Sequence, residues 1–249
     1  MYFNISPSLF TENYSQLTLK GVMWLNWVSA NCPGVRWVIK IDDDVAVNVH
    51  YLVEYLTQEH GDTRHFIGGS LATGGDAKIS RAGSGSKWQV DDSQFPGLEH
   101  FPFTYSLGHF VVLSGDLVRP MAEAARSAPF FWLDDVFMFG LLPHVVGDVR
   151  FAELGERSNL VFRSMAKVRS CFKRLGPTCS KTFLAVFDRT HYSKLWRTHC
   201  VFLWRILGES YGEVAEDAGR MEGMKATMES WFTESSTLVG ELRFLLGVE

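Results

Sequence analysis

The chain has 249 residues, 46% of them hydrophobic and 21% charged, which indicates a globular protein with a sizeable core and excludes a disordered, collagenous or coiled-coil chain. The formal net charge of −4 excludes nucleic-acid binding driven by bulk positive charge. No apolar run reaches the roughly 20 residues that a membrane helix needs, and the first residues lack the apolar core of a signal peptide.

The first third of the chain predicts a helix, a buried strand and a second helix. Apolar side chains of residues 14–28 fall on one helical stripe, which Pro33 and Gly34 end. Residues 35–41 are apolar and β-branched, as in a buried strand, and lead directly into three aspartates. Asn48 is the predicted N-cap of the next helix. The inner face of that helix is expected to carry Val49, Leu52, Val53 and Leu56.

The following residues continue the alternation of strands and helices. Strands are predicted near residues 65–69, 109–113 and 148–152, and helices near residues 116–126 and 134–143. Residues 72–86 are rich in Gly, Ser and charge and predict a flexible loop. This alternation predicts an α/β fold with a mixed, largely parallel sheet flanked by helices.

The three aspartates at the end of the first strand are the most informative feature. Open α/β sheets bind ligands at the carboxyl ends of their strands. Alternate residues of an extended stretch point the same way, so we expect Asp42 and Asp44 to face one site and Asp43 to face elsewhere. Two carboxylates suit Mn²⁺ or Mg²⁺, especially when substrate phosphates complete the coordination. The alternative is a solvated acidic turn that caps the next helix.

A second pair of acids follows the aromatic residues 130–132 and opens an apolar helix. We interpret Asp134 as the N-cap of that helix. Asp135 either favours the helix dipole or, partly desolvated behind the aromatic residues, has a pKa suited to a general base.

Cysteine usage leaves two readings open. Cys171 and Cys179 are close enough in sequence to form a disulfide in an oxidising compartment, and the alternative is that all four cysteines are free thiols. The absence of any CxxC pair argues against a structural zinc site.

Seven short segments occur in order along the chain: residues 14–20 (YSQLTLK), 37–48 (WVIKIDDDVAVN), 87–88 (KW), 101–102 (FP), 105–108 (YSLG), 113–117 (LSGDL) and 133–136 (LDDV). Taken together, they resemble the β1,3-galactosyltransferase family, family 31 of the glycosyltransferases. The resemblance covers about residues 10–149, with a fainter continuation to about residue 196.

The resemblance implies a GT-A fold and an inverting, Mn²⁺-dependent transfer of Gal, GlcNAc or GalNAc from a UDP-sugar in β1,3 linkage. The implied acceptor is a glycoprotein or glycolipid, no nucleic acid is involved, and the implied location is the Golgi membrane with a lumenal catalytic domain. It also implies residue roles, with Asp42 and Asp44 toward metal and diphosphate and Asp135 as the catalytic base. The residues expected in the donor–acceptor cleft are Asp43, Trp88 and Gly108.

The sequence also departs from the family pattern. Asp134 stands where Glu is usual, and Phe110 stands where the family has a second glycine. A late metal-binding His is missing, and Asp188 or His191 is the candidate replacement. The Arg-rich start, the first strand of the nucleotide-binding half, the stem and the membrane anchor have no counterpart in this sequence, so we expect an incomplete nucleotide-binding half.

Two domains are predicted. Residues 1–200 are expected to form a partial GT-A-like glycosyltransferase domain. Residues 201–249 are expected to form an acidic helical extension, because residues 209–249 contain nine acids and three bases.

Two other function classes compete with the transferase. One is a non-catalytic relative that binds a glycan or a nucleotide, which the departures favour. The other is a metal-dependent nucleotidyl or phosphoryl transferase, although no Gly-rich phosphate loop accompanies the aspartates.

Overall fold

The computed structural model describes residues 16–187, apart from Asp43 and Glu156, together with the strand Phe244–Leu246. The helices are α1 (Leu17–Asn31), α2 (Val49–His60), α3 (Gly115–Ala124), α4 (Asp134–Val136), α5 (Leu142–Val146) and α6 (Met165–Leu175). The strands are β1 (Trp37–Ile41), β2 (Val45–Val47), β3 (Phe66–Ala72), β4 (Tyr105–Ser114), β5 (Arg150–Glu153), β6 (Val161–Phe162), β7 (Ala185–Phe187) and β8 (Phe244–Leu246).

The described strands form two mixed sheets, which confirms a mixed α/β architecture consistent with a GT-A-like fold. The larger sheet has the order β5-β3-β4-β1-β8, and the smaller has the order β2-β7-β6. The prediction of a largely parallel sheet is wrong for the described residues, because only β3–β5 and β6–β7 are parallel and the other four pairings are antiparallel.

The long strand β4 is the reason for the antiparallel pairing. β1 and β3 are joined through a helix and run in the same direction, as the alternation predicts, but they are not hydrogen-bonded neighbours. β4 lies between them and runs antiparallel to both. It returns from β3 through the long connection 73–104, which contains only one short 3₁₀ turn, instead of through a crossover helix.

Both faces of the larger sheet are covered, which explains the continuously apolar β1. Val38 points into the core formed with α1, α3 and the helical segment that begins at α4. Trp37 and Ile39 point into the core formed with β2 and α2. A strand buried on both faces has no polar face to show in its sequence. Lys40 shares the Val38 face, because side chains alternate along a strand.

The smaller sheet holds the residues that follow the aspartates. β2 pairs with β7, and the Asn48 side chain donates to the carbonyls of Ser180 (2.6 Å) and Phe183 (3.2 Å) just before β7. A disulfide joins Cys171 on α6 to Cys179 in the 3₁₀ turn Gly176–Lys181, which also contains Ser180. The possible Cys171–Cys179 pair is therefore present in the structure, and it tethers the segment packed against Asn48.

Two details of the predicted helices are wrong. Asn48 caps α2 as predicted, with its side chain accepting from the Tyr51 N–H, and Leu52 is buried. Val49 and Val53, however, are 39% and 57% exposed, because the core contact of this helix is narrower than its apolar stripe. Asp134 is the first helical residue and not the N-cap, a position that Leu133 occupies without a side-chain cap.

Several predictions lie partly or wholly outside the described residues. Of the predicted extension 201–249, the structure describes only β8, which pairs with β1. The boundary at residue 200 therefore stays a prediction, as does the incomplete nucleotide-binding half. In the part of the chain that is described, every helix is too short or too polar to cross a membrane.

Candidate active site

The carboxyl end of β1 places Asp42 and Asp44 at one turn. The Asp42 N–H donates to the His109 carbonyl (3.0 Å), which extends the β1–β4 pairing by one residue. The Val45 N–H donates to the Asp42 carbonyl (3.1 Å) and closes a tight turn. The Asp42 side chain is 43% exposed, whereas Oδ1 of Asp44 is buried. Asp43 lies outside the described residues.

Beside this turn, β4 carries an irregularity in its pairing with β3. Gly69 pairs with Val111, but the next residue, Ser70, pairs with Leu107. The intervening β4 residues 108–110 therefore bulge away from the regular ladder. Bulges redirect backbone groups and side chains and are frequent next to active sites.

The bulge brings Gly108 against Asp135, the first residue of the site that comes from a helix. The Gly108 N–H donates to the Asp135 carboxylate. A Cβ at Gly108 would overlap Oδ1 of Asp135 and would lie 3.1 Å from Nζ of Lys40. Glycine is required here because the carboxylate and the ammonium occupy the space of a side chain.

The position of Asp135 is set from α1 as well as from β4. The buried Thr18 hydroxyl on α1 interacts with two successive carbonyls, those of Phe131 (2.9 Å) and Trp132 (3.0 Å). These carbonyls lie in the loop just before α4. A hydroxyl has one proton to donate, so the two contacts share it. This contact holds the start of α4 against α1 and so fixes where Asp135 meets the sheet.

Lys40 lies between the two acidic groups. Its Nζ donates to Oδ1 of Asp42 (2.5 Å) and to the Gly108 carbonyl (2.5 Å), and its side chain is only 9% exposed. Burial by itself lowers the pKa of Lys40, but attraction to Asp42 and Asp135 outweighs burial, so the net effect is a raised pKa. The lysine is therefore a buried cation at the centre of the site.

The two helix-start acids have carboxyl groups that are harder to ionise than usual. Burial, followed by repulsion from Asp134, raises the pKa of Asp135 to about 7, against the opposing attraction of Lys40. Burial also raises the pKa of Asp134. A carboxylate with a pKa near neutrality is well suited to accept a proton at physiological pH.

The predicted cleft residue Trp88 and the departure from the family pattern at Phe110 occupy different surroundings. Trp88 lies in the 73–104 connection and is 41% exposed, with the Lys87 ammonium 4.8 Å from its ring centroid. Its predicted contact with donor or acceptor stays a prediction. Phe110, which replaces the family's second glycine, is fully buried in the core shared with β2 and α2. That departure therefore serves packing.

His109 follows Gly108 in the bulged part of β4. Its Nε2 lies 3.2 Å from the Ser70 hydroxyl, and its ring centroid lies 5.1 Å from that of Phe187 at the end of β7. The candidate late metal ligands, Asp188 and His191, come shortly after Phe187 in sequence and lie outside the described residues.

The residues present fit a divalent cation that shares its coordination with a substrate. Asp42 and Asp44 supply two carboxylates at one turn, one of them partly exposed and the other with a buried oxygen. Such hard oxygen donors suit Mn²⁺ or Mg²⁺. Among the described residues no three His, Cys, Asp or Glu side chains converge on one point, so diphosphate oxygens or later residues would have to complete the set.

Sequence reasoning missed Lys40. The signal was present, because Lys40 is the single charged residue within the apolar strand β1 and stands two residues before Asp42. Residues two apart on a strand share a face, so the side chain of a lysine at position 40 lies on the same face as Asp42 and can contact it. The contact of Gly108 with Asp135 had no local signal, since it depends on the packing of α4 on β4.

Comparison with known proteins identifies the relatives of this chain. The family model described as Galactosyltransferase matches residues 5–149. Human beta-1,3-galactosyltransferase 5 is 35% identical over 129 residues, covering 52% of this chain and 40% of the relative. Human acetylgalactosaminyl-O-glycosyl-glycoprotein beta-1,3-N-acetylglucosaminyltransferase is 36% identical over 129 residues, covering 52% of this chain and 32% of the relative.

A third relative, beta-1,3-galactosyltransferase 4 of Rattus norvegicus, is 31% identical over 157 residues, covering 54% of this chain and 42% of the relative. The chain thus spans between about one third and two fifths of the length of these curated relatives. The matched region contains the turn at the end of β1, the β4 bulge and the start of α4, which are the elements that form the site.

Proposed function

The chain belongs to the galactosyltransferase family, and from that premise we propose that it is an inverting hexosyltransferase. It moves Gal, GlcNAc or GalNAc from a UDP-sugar to a glycan hydroxyl in β1,3 linkage. The names of its relatives include both galactosyltransferases and an N-acetylglucosaminyltransferase, so the proposed donor is a class of UDP-hexoses and not one sugar.

One observation carries this proposal. Asp42 at the end of β1 and Asp135 at the start of α4 are far apart in sequence, yet both interact with the same buried ammonium of Lys40. A transferase of this kind needs one carboxylate for the metal and diphosphate and another for the acceptor hydroxyl. The fold brings two such groups to one place and gives them different surroundings, which is how one site assigns two roles.

The proposed reaction is a single displacement. The Asp135 carboxylate accepts the proton of the acceptor hydroxyl as its oxygen attacks the anomeric carbon of the donor. The new oxygen–carbon bond forms on the face opposite the breaking bond between the anomeric carbon and the β-phosphate oxygen. The electron pair of the breaking bond leaves with UDP, and the configuration inverts. No enzyme nucleophile is required.

Asp42 and Asp44 are the residues that would hold Mn²⁺, with Asp43 near the donor. When bound, the cation supplies positive charge that offsets the charge gained by the departing diphosphate. Asp135 carries the base role because its carboxylate is held by the Gly108 N–H and has a raised pKa. Trp88 and Gly108 border the proposed donor–acceptor cleft.

The proposed acceptor is a glycoprotein or glycolipid glycan, and the proposed location is the Golgi lumen with attachment to its membrane. The disulfide between Cys171 and Cys179 supports an oxidising compartment. Microscopy of the tagged protein in cells against a Golgi marker tests the location, and a purely cytosolic or nuclear signal would overturn it.

Calorimetry of the chain with UDP, in Mn²⁺ and in chelator, tests the donor site. We expect UDP binding in Mn²⁺ and little or none in chelator, and we expect Asp44→Asn to weaken both metal and UDP binding. Asp62→Asn, at an exposed position after α2, is the matched control and should bind as the unmodified chain does. Equal binding of UDP with and without metal would contradict the proposal.

A further inference from the structure

We propose that Lys40 is a positioning residue that holds Asp42 and Asp135 in a fixed relation through the peptide groups of Gly108. The inference rests on the proposed function for what the two carboxylates do. Lys40 is proposed to fix the distance and the relative orientation of the two carboxylates. Three hydrogen bonds, which form one continuous path, support this inference.

The path begins at Asp42 and ends at Asp135. Nζ of Lys40 donates to Oδ1 of Asp42 (2.5 Å) and to the Gly108 carbonyl (2.5 Å). The N–H of the same Gly108 donates to the Asp135 carboxylate. A displacement of any member therefore moves a hydrogen-bonding partner of the next, and hydrogen bonds in a chain polarise one another.

The surrounding structure keeps this path intact. β1 is locked in register between β4 and β8, so the Cα of Lys40 cannot slide along the sheet. The bulge at residues 108–110 turns the Gly108 peptide groups out of the β3–β4 ladder and toward Lys40 and Asp135. Because Gly108 has no side chain, the ammonium and the carboxylate approach its backbone from the same side.

The cost of burying Lys40 argues for a role at the site. Replacing a buried ion pair together with its partners by apolar residues of similar volume often leaves a protein as stable or more stable, so folding alone does not demand a buried ion pair. Every other β1 residue is apolar, so an apolar residue would suit position 40 for folding alone. Instead, one cation faces three acids, since Asp42, Asp134 and Asp135 all act on Lys40 electrostatically. Without it, their mutual repulsion would push the two working carboxylates apart.

The test follows the Gly108 amide by NMR and requires neither donor nor acceptor. Labelling with ¹³C-carbonyl leucine and ¹⁵N-glycine selects the five Leu-Gly pairs of the chain, those ending at residues 108, 155, 176, 208 and 247. Asp135→Asn identifies the Gly108 signal, because Gly108 is the glycine that donates to Asp135 among those that the structure describes. The Gly108 amide signal can be measured whether or not the chain transfers sugar, so this test is independent of the proposed function.

Lys40→Met should shift the Gly108 amide signal in the same direction as Asp135→Asn, whereas Lys167→Met on the exposed face of α6 should not. Asp42→Asn should also shift it, because it weakens the hydrogen bond that holds the shared ammonium, and Asp62→Asn is its matched control. Asp42 is partly exposed, so this variant keeps the test decisive if Lys40→Met fails to fold. A Gly108 signal that is unmoved in Asp42→Asn, or in a folded Lys40→Met, would overturn the proposal.

Kinetics separate positioning from direct binding of the donor. In a chain active in transfer, Lys40→Met should lower kcat by roughly 10–100-fold, as expected for misplacement of reacting groups by about 1 Å. KM for the acceptor should change far less. A change confined to KM for the donor, with kcat kept, would contradict a positioning role.

Discussion

Asp135 combines a position suited to proton transfer with surroundings that disfavour its charged form. Burial and the neighbouring Asp134 raise its pKa to about 7, while Lys40 and the Gly108 N–H act in the opposite direction. Ionising Asp135 therefore costs more free energy in the folded chain than in the unfolded chain. This cost should affect both the rate of proton transfer and the free energy of unfolding.

The stability of the chain should fall with rising pH because of this residue. Between about pH 4 and pH 7, the folded chain keeps a proton on Asp135 that the unfolded chain has lost, so the unfolded state binds fewer protons and the free energy of unfolding decreases. Asp135→Asn removes this loss. In metal-free buffer at pH 8, the variant should be more stable than the unmodified chain by a few kcal/mol, since each unit of pKa shift corresponds to about 1.4 kcal/mol.

Urea unfolding at pH 3.5 and pH 8 measures the difference. At the lower pH both chains carry a neutral group at position 135, so the difference should largely disappear. A variant that is equally destabilised at both pH values would contradict the raised pKa.

The bulge at residues 108–110 of β4 is the element that joins the parts of the site. It carries Gly108 to Asp135 and Lys40, while α1 holds the start of α4 through Thr18. The sequence indicated both the strand and the helix, but not their contact, because no local pattern reports which helix start packs on which bulge. Likewise, helix–strand alternation predicted an α/β fold correctly but not the insertion of β4 between β1 and β3, which depends on long-range pairing.

Gly108→Ala tests the importance of the close approach at the bulge. The added methyl group would overlap Oδ1 of Asp135, so we expect turnover to fall by roughly 10–100-fold and stability to fall by about 1–3 kcal/mol. Gly34→Ala is the matched control, since nothing lies within 4 Å of a Cβ there. Its stability should stay the same or rise by a few tenths of a kcal/mol. Similar effects of both substitutions would argue against a special role for the bulge.

For the whole molecule, the sequence motifs predicted the family and placed Asp42, Asp44, Asp135 and Gly108 in one neighbourhood. The locations of Asp42, Asp44 and Asp135 follow from a strand end and a helix start, which motifs report well. The buried cation that joins them was missed, because a lysine inside an apolar strand has meaning only when the opposing acids are known. The donor sugar and acceptor depend on cleft surfaces that neither the motifs nor the matched part of the relatives specify.

The central claim is that Asp135 is the base of a metal-dependent transfer, and a transfer assay of three chains tests it most directly. The unmodified chain, Asp135→Asn and Asp134→Asn are compared for UDP release from UDP-Gal, UDP-GlcNAc and UDP-GalNAc with glycan acceptors in Mn²⁺, and for UDP binding by calorimetry. We expect Asp135→Asn to bind UDP normally but to lose about 10²–10⁴ in rate, and Asp134→Asn to keep most of its turnover. Near-normal turnover in Asp135→Asn, or an unmodified chain inactive with every donor, would contradict the account.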